Sequence, residues 1–311
     1  MTEKKSTDLF SQIHTDRFTW HDSILVIVLL SVFLLLTGQF IGLILETQMA
    51  NLLGPKTPFL ETFIHYFDNI AVWLFMLAYL WIAKYNRPIL TALSSKMKGN
   101  TWKMLGLGLL AGFVQNGACV LAAILHGDIF LSFDRFEIVK MAVMIIAVLI
   151  QSSSEELICR GFMYQRLKRG YRNPLVWILG NSIIFSALHL ANKGISVLAV
   201  MNIFLVALLY SLIVYYFDSS IWFTMGAHAA WNYTQNILFG LPNSGNVLPY
   251  SFMKLDAANA RNSWIYNVQF GVEGTVFTCL VILVSIGITL YLGKKRTRTD
   301  QDVWVMAETD A

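Results

Sequence analysis

Residues 23–45 read SILVIVLLSVFLLLTGQFIGLIL, a run with no charged side chain. A helix of about 20 apolar residues crosses the ~30 Å hydrocarbon core of a bilayer, so this run is long enough to span one. It is too long for the apolar part of a cleaved leader, and the polar stretch before it, Met1 to Asp22, is longer than a leader's charged start. The segment therefore reads as a retained helix. The rest of the chain has the same character: 56% of its 311 residues are apolar and 14% charged, and its mean hydropathy is +0.57. Soluble domains run nearer about 45–50% apolar and 25% charged.

Working outward from this run, similar apolar segments predict spans at 23–46, 62–84, 102–126, 138–158, 174–191, 197–217, 220–238 and 268–292. The expected fold class is all-α, a polytopic integral membrane helix bundle of about eight transmembrane helices. Residues 1–311 form a single membrane domain, with no internal repeat, low-complexity tract or linker to divide it. Short loops rich in Lys and Arg face the cytoplasm. With the N-terminus inside, seventeen such residues fall on the inner side, among them Lys4, Lys5, Arg160, Arg166, Arg169 and Arg298. Six fall opposite: Lys56, Arg135, Lys140, Lys193, Lys254 and Arg261. This asymmetry predicts a multi-pass protein of the cell membrane with both termini cytoplasmic and the lipid bilayer as its partner.

The net charge of +4 is spread over several loops and the tail rather than gathered in a patch, which excludes nucleic acid as a partner. Cys119, Cys159 and Cys279 lie in or beside apolar runs without zinc-type spacing and read as packing residues. The longest non-apolar stretch, Gly240 to Tyr266, carries Pro242, Asn243, Gly245 and Pro249 and reads as an outer connector, with a lid or substrate-contacting loop as the alternative.

Ionisable groups in membrane helices cost about 2.5–3.5 kcal/mol each on insertion scales, so each calls for a partner or a task. Here they cluster. Glu155 and Glu156 close the fourth run, followed by Arg160. Glu156 and Arg160 stand i,i+4 on one helix face and form an ion pair. Glu155 points about 100° away and lacks that partner, which leaves it available as a general base. In the fifth run Phe185 lies one turn from His189, and in the seventh His228 and Asn232 share a face. Gly170 to Asn173 reads as a tight turn closed by Pro174. Glu155 and His189 lie about equally far along the chain from this turn, so a fourth helix continuing to Arg169 would bring carboxylate and imidazole face to face at equal height, ~25 Å from the turn.

The ordered set Glu155-Glu156-x-x-x-Arg160, Phe185-x-x-x-His189 and His228-x-x-x-Asn232 resembles the CPBP family, also called the Abi or CAAX protease and bacteriocin-processing family. It is similar in particular to the type II CAAX prenyl endopeptidases. The resemblance covers residues 138–238 as catalytic core helices and implies an intramembrane endopeptidase acting on a peptide or protein substrate within or near the membrane. It implies that Glu155 and His189 activate water and that His228 and Asn232 hold the oxyanion, with Glu156, Arg160 and Phe185 in support. In place of the small-residue pattern of the sixth helix, this chain has Ala207 and Tyr210, and Tyr210 is expected to narrow the substrate groove.

Other readings remain open. Glu155, His189 and His228 could supply a His₂Glu zinc site. No cofactor is the preferred expectation, because Asn232 is a poor zinc ligand and a good oxyanion donor. A non-catalytic immunity or scaffold protein, or a transporter, would use the same polar groups without cleavage. A serine protease built on Ser182 would leave both glutamates unexplained. The simple charge pattern suits a bacterial membrane, and there the family resemblance implies peptide maturation, pheromone or bacteriocin processing or self-immunity rather than trimming of a prenylated protein.

Overall fold

The computed structural model describes residues 13–14, 16–54, 57–297, 299 and 301–309. Of the charges used above, Lys4, Lys5, Lys56 and Arg298 lie outside the described residues.

The chain runs up and down through a helical bundle. In order come α1 (Ile24–Leu53), α2 (Pro58–Phe67), α3 (Ile70–Ile82), α4 (Pro88–Leu93), α5 (Trp102–His126) and the strand β1 (Leu131–Phe133). Next, α6 (Ile138–Glu156), a π-helical segment (Leu157–Met163) and α7 (Tyr164–Gly170) form one continuous rod. Then follow α8 (Pro174–Leu188), α9 (Val197–Tyr216), α10 (Ile221–Asn232) with a π-helical extension (Tyr233–Leu238), β2 (Met253–Leu255), α11 (Val276–Lys294) and α12 (Val303–Thr309).

Polar caps set the helix starts. The side chains of Thr57, Thr101, Asn173, Ser196 and Thr275 accept from the first free amides of α2, α5, α8, α9 and α11. Pro58 and Pro174 open their helices, where no amide donor is needed.

Six helices among the described residues are long and apolar enough to cross a bilayer: α1, α2 with α3, α5, the α6–α7 rod, α9 and α11. Two further passes fall short of that standard. α8 is apolar but has only 15 residues, and α10 is 12 residues long before its π extension. These two carry His189 and the His228–Asn232 pair. Large apolar side chains face outward, as with Leu25, Leu29, Phe33, Leu36 and Phe40 of α1. The bundle is thus a polytopic all-α membrane protein with a lipid-facing apolar belt.

Several predicted ends shift. The first span runs on to Leu53. The second starts at Pro58 and is interrupted at Asp68 and Asn69, between α2 and α3. The last begins at Val276, because Asn267 and Gly271 exchange backbone hydrogen bonds in a turn and Thr275 caps the helix. The fourth helix does continue past Arg169, to Gly170.

The described chain ends share one end of the bundle. There Arg166 pairs with Asp22 at 2.7 Å, Arg169 also contacts Asp22, and Arg17 pairs with Asp302 at 2.6 Å. The opposite end holds the β1–β2 ribbon and the loops after α8 and α10. α10 packs along α5 and against α6, while α9 lies between α8 and α11. The close approach of α5 and α10 depends on Gly108 and Gly112, where a Cβ would press into the carbonyl oxygens of Phe223 and Ala227.

Candidate active site

α6, α8 and α10 converge on a cavity of about 310 Å³ whose walls include Gln151, Glu155, Phe185, His189, His228 and Asn232. Glu155 is anchored on one side only. Gln151, one turn earlier on α6, donates to Oε1 at 2.7 Å. Oε2 is buried without a hydrogen-bond partner among the described residues. It lies 3.8 Å from His189 Nε2 and 4.0 Å from His228 Nε2.

Hydrogen bonds on the far sides of the rings orient both imidazoles. His189 caps the end of α8, and its Nδ1 lies 2.8 Å from the Phe185 carbonyl oxygen. That oxygen can only accept, so Nδ1 carries a proton and Nε2 is turned toward Glu155; in the neutral ring Nε2 is then a bare acceptor. His228 Nδ1 lies 3.1 Å from Glu156 Oε1 and likewise donates. Two acceptors and a second imidazole edge therefore meet around one small volume. A water within the usual hydrogen-bond distance of about 2.7–2.8 Å from both fits between Glu155 Oε2 and His189 Nε2.

Glu156 and Arg160 form the expected pair, 3.0 Å apart and fully buried. Arg160 also donates to the Ala207 carbonyl at 3.1 Å, and its guanidinium stacks over Phe185 at 4.8 Å and Tyr210 at 5.4 Å. Phe185 lies against the His189 ring at 4.6 Å, so one aromatic ring contacts both cation and imidazole. Tyr210 is buried within this stack and also borders the cavity.

Asn232 is placed differently from the expectation of a free donor. Its Nδ2 donates to Gln151 Oε1 at 3.2 Å and Ser152 Oγ at 3.1 Å. Its Oδ1 accepts from Asn243 at 3.1 Å. It thus ties α10 to α6 and to the outer loop.

Both polar helices change register at the site. The π segment Leu157–Met163 starts directly after Glu156, and the second, Tyr233–Leu238, directly after Asn232. Such segments are uncommon and concentrate at functional sites.

Three contributors were missed by the sequence reading, and a fourth was read there mainly as a connector. Gln151 and Ser152 precede Glu155 in a polar Gln-Ser-Ser-Ser run that signalled them. Glu273 was visible as a carboxylate inside the predicted 268–292 span. It accepts from Trp231 Nε1 at 2.9 Å and from the Ser244 amide at 2.7 Å, and it lines the cavity. Burial pushes its carboxyl above the ordinary range, against the pull of these donors. The fourth is the Gly240–Tyr266 stretch, for which a lid or substrate-contacting loop was the alternative to a connector. Asn243, Ser244, Asn246 and Leu248 border the cavity, and Leu241, Tyr250 and Tyr266 are fully buried.

Among the described residues no three side chains are placed to hold a metal, although Glu155, His189 and His228 are donors of the type zinc takes. Their separations of 3.8 and 4.0 Å are wider than the about 3.3 Å edge of a tetrahedral site with ~2.0 Å bonds.

Comparison with known proteins agrees with the motif resemblance. The family described as type II CAAX prenyl endopeptidase Rce1-like matches residues 137–234, the segment that holds all three motifs. An uncharacterized protein of Bacillus subtilis (strain 168), YyaK, is 32% identical over 130 residues, which cover 39% of this chain and 43% of that one. The chain thus matches less than half the length of that relative. No solved structure matches. Residues 137–234 are thus similar to the type II CAAX prenyl endopeptidase Rce1-like family, in the segment that carries the motifs.

Proposed function

We propose that the protein is an intramembrane endopeptidase in which Glu155 and His189 activate water without a metal. The observation that carries this reading is the unpartnered Glu155 Oε2, 3.8 Å from His189 Nε2 inside the cavity. A water between them donates one hydrogen bond to each. As its oxygen attacks the scissile carbonyl carbon, Glu155 takes the proton and the carbonyl oxygen becomes an oxyanion. A protonated His228, held through Nδ1 by Glu156, presents Nε2–H to that oxyanion. The tetrahedral centre then collapses, the C–N bond breaks, and Glu155 delivers the proton to the leaving amine nitrogen.

Asn232 acts mainly as a strut in this scheme, because its amide protons are engaged by Gln151 and Ser152. Donation to the oxyanion requires its carboxamide to turn. Glu156, Arg160 and Phe185 hold the imidazoles in place. The wide spacing of the three zinc-type donors favours water over metal. The zinc reading draws on the same Nδ1 contacts, which fix both Nε2 atoms toward Glu155 as a metal's outer ligands would.

The end carrying Arg17, Arg166 and Arg169 faces the cytoplasm in this account, in keeping with the charge asymmetry. Substrates are peptide segments in or beside the bilayer of a bacterial cell. The test is to present a library of membrane-anchored peptides to purified protein in detergent and identify products by mass spectrometry. Cleavage by wild type and none by folded Glu155→Gln supports the reading. Equal cleavage by both, or a cellular phenotype that survives Glu155→Gln, points to a scaffold.

A further inference from the structure

Glu273 is a second buried carboxylate at the cavity, and the water-activating scheme gives it no task. It precedes α11 in a short 3₁₀ turn, Val272–Gly274. Its three hydrogen-bond donors are all uncharged: Trp231 Nε1 at 2.9 Å, the Ser244 amide at 2.7 Å and Ser244 Oγ at 3.1 Å. A carboxylate taken from water is costly unless hydrogen bonds or a countercharge replace its hydration. His189 when protonated favours the charge, and the three donors hold the carboxylate directly. The geometry explains what these bonds hold.

Ser244 sits at the tip of the turn from Asn243 to Asn246, which is closed by reciprocal backbone hydrogen bonds of 2.9 Å. The residue has φ +48°, a left-handed conformation that a non-glycine side chain adopts only when its surroundings impose it. The turn is seated from several sides. Gly245, at φ +85°, packs so closely on the Lys193 carbonyl that no Cβ could enter. Gly271 meets the Pro242 carbonyl in the same way. Asn202 on α9 donates to the backbone carbonyls of Glu273 and Thr275, which fixes the carboxylate's own backbone.

Two adjacent clamps result. Asn243 grips Asn232 at 3.1 Å, and Ser244 is gripped by Glu273. Trp231, the chain neighbour of Asn232, shares the Glu273 carboxylate. Asn243, Ser244 and Asn246 all line the cavity that Glu155 and His189 occupy. We propose that Glu273 is a positioning residue that latches the Asn243–Asn246 turn over the cavity, making this turn the wall against which a bound peptide is placed. The peptide part rests on the endopeptidase reading; the latch itself does not.

Glu273→Gln keeps the size but puts an amide group where an acceptor is needed, so Trp231 or Ser244 loses its partner. Hydrogen exchange and cleavage are measured together on purified full-length protein. In Glu273→Gln the exchange of the 243–246 amides rises by about tenfold or more, as expected for a locally opened turn. KM for a cleaved peptide rises by a similar factor, about tenfold, while kcat changes less than about threefold. Glu155→Gln abolishes cleavage with no change in exchange. The double variant Trp231→Phe/Ser244→Ala removes two donors and leaves the carboxylate in place; it raises exchange in the same turn and serves if Glu273→Gln does not fold. Unchanged exchange in both overturns the latch, whatever the activity. Raised exchange with unchanged KM overturns the role in substrate placement. Should wild type cleave nothing, the endopeptidase reading fails and exchange alone still decides the latch.

Discussion

Glu155 Oε2 and His189 Nε2 lie 3.8 Å apart at equal height on two helices joined by the turn between Gly170 and Pro174. Arg169 sits at the turn end of this hairpin and pairs with Asp22, which anchors it at the basic end of the bundle. The separation is too long for a direct hydrogen bond and suits a shared water.

Gln151 is the contact that aims this carboxylate, through its 2.7 Å bond to Oε1, and it also accepts from Asn232. Gln151→Ala is expected to lower kcat/KM by about 10- to 100-fold, the scale of a misplaced catalytic group. The Gln151 side chain bonds Glu155, Asn232 and Ser152; at about 1 kcal/mol for each bond lost, the variant folds with a melting temperature below wild type. Peptide cleavage and thermal unfolding, measured on the same preparation, check both halves.

Glu156 and Arg160 have a different sensitivity. Removing one member leaves an uncompensated buried charge, which costs about 3–5 kcal/mol. Glu156→Gln and Arg160→Ala should therefore reduce folded protein as well as activity. Arg160→Lys should not rescue, because an ammonium cannot reach Glu156 and the Ala207 carbonyl together while stacking on Phe185 and Tyr210. Wild-type melting temperatures in all three would remove the structural role of the pair.

Gly112 sets the distance between α5 and α10, which carries His228 one residue beyond Ala227. Gly112→Val should separate the helices, destabilise by about 1–3 kcal/mol and impair cleavage. Gly106 faces open space on the same helix. Gly106→Ala should not destabilise and should gain up to about 1 kcal/mol by thermal unfolding in detergent, as a Gly→Ala change inside a helix does where the methyl group meets nothing.

The sequence was most legible where a local period carried the information. The apolar runs located the passes through the membrane, and i,i+4 spacing placed Glu156 on Arg160 and His228 beside Asn232. Chain distance from the Gly170–Pro174 turn set Glu155 opposite His189. The π segments left no such trace, since a register change after Glu156 or Asn232 alters the hydrogen bonding and not the composition. The outer loop could not be assigned between connector and cavity wall for a related reason. Its burial rests on long-range contacts such as Ser244 with Glu273, and a Pro- and Asn-rich string resembles an exposed connector until those partners are known. Gly108 and Gly112 form a small-residue spacing that was readable, but their partner helix was not.

The most direct test of the central claim is the rate of peptide cleavage by purified wild type, Glu155→Gln and His189→Ala, each with and without a strong chelator. The account predicts wild-type cleavage that persists in chelator and a loss of at least about 100-fold in both variants, the scale of general-base catalysis, with folding retained. Cleavage by Glu155→Gln at the wild-type rate, or wild-type activity abolished by chelator and restored by zinc, would contradict it.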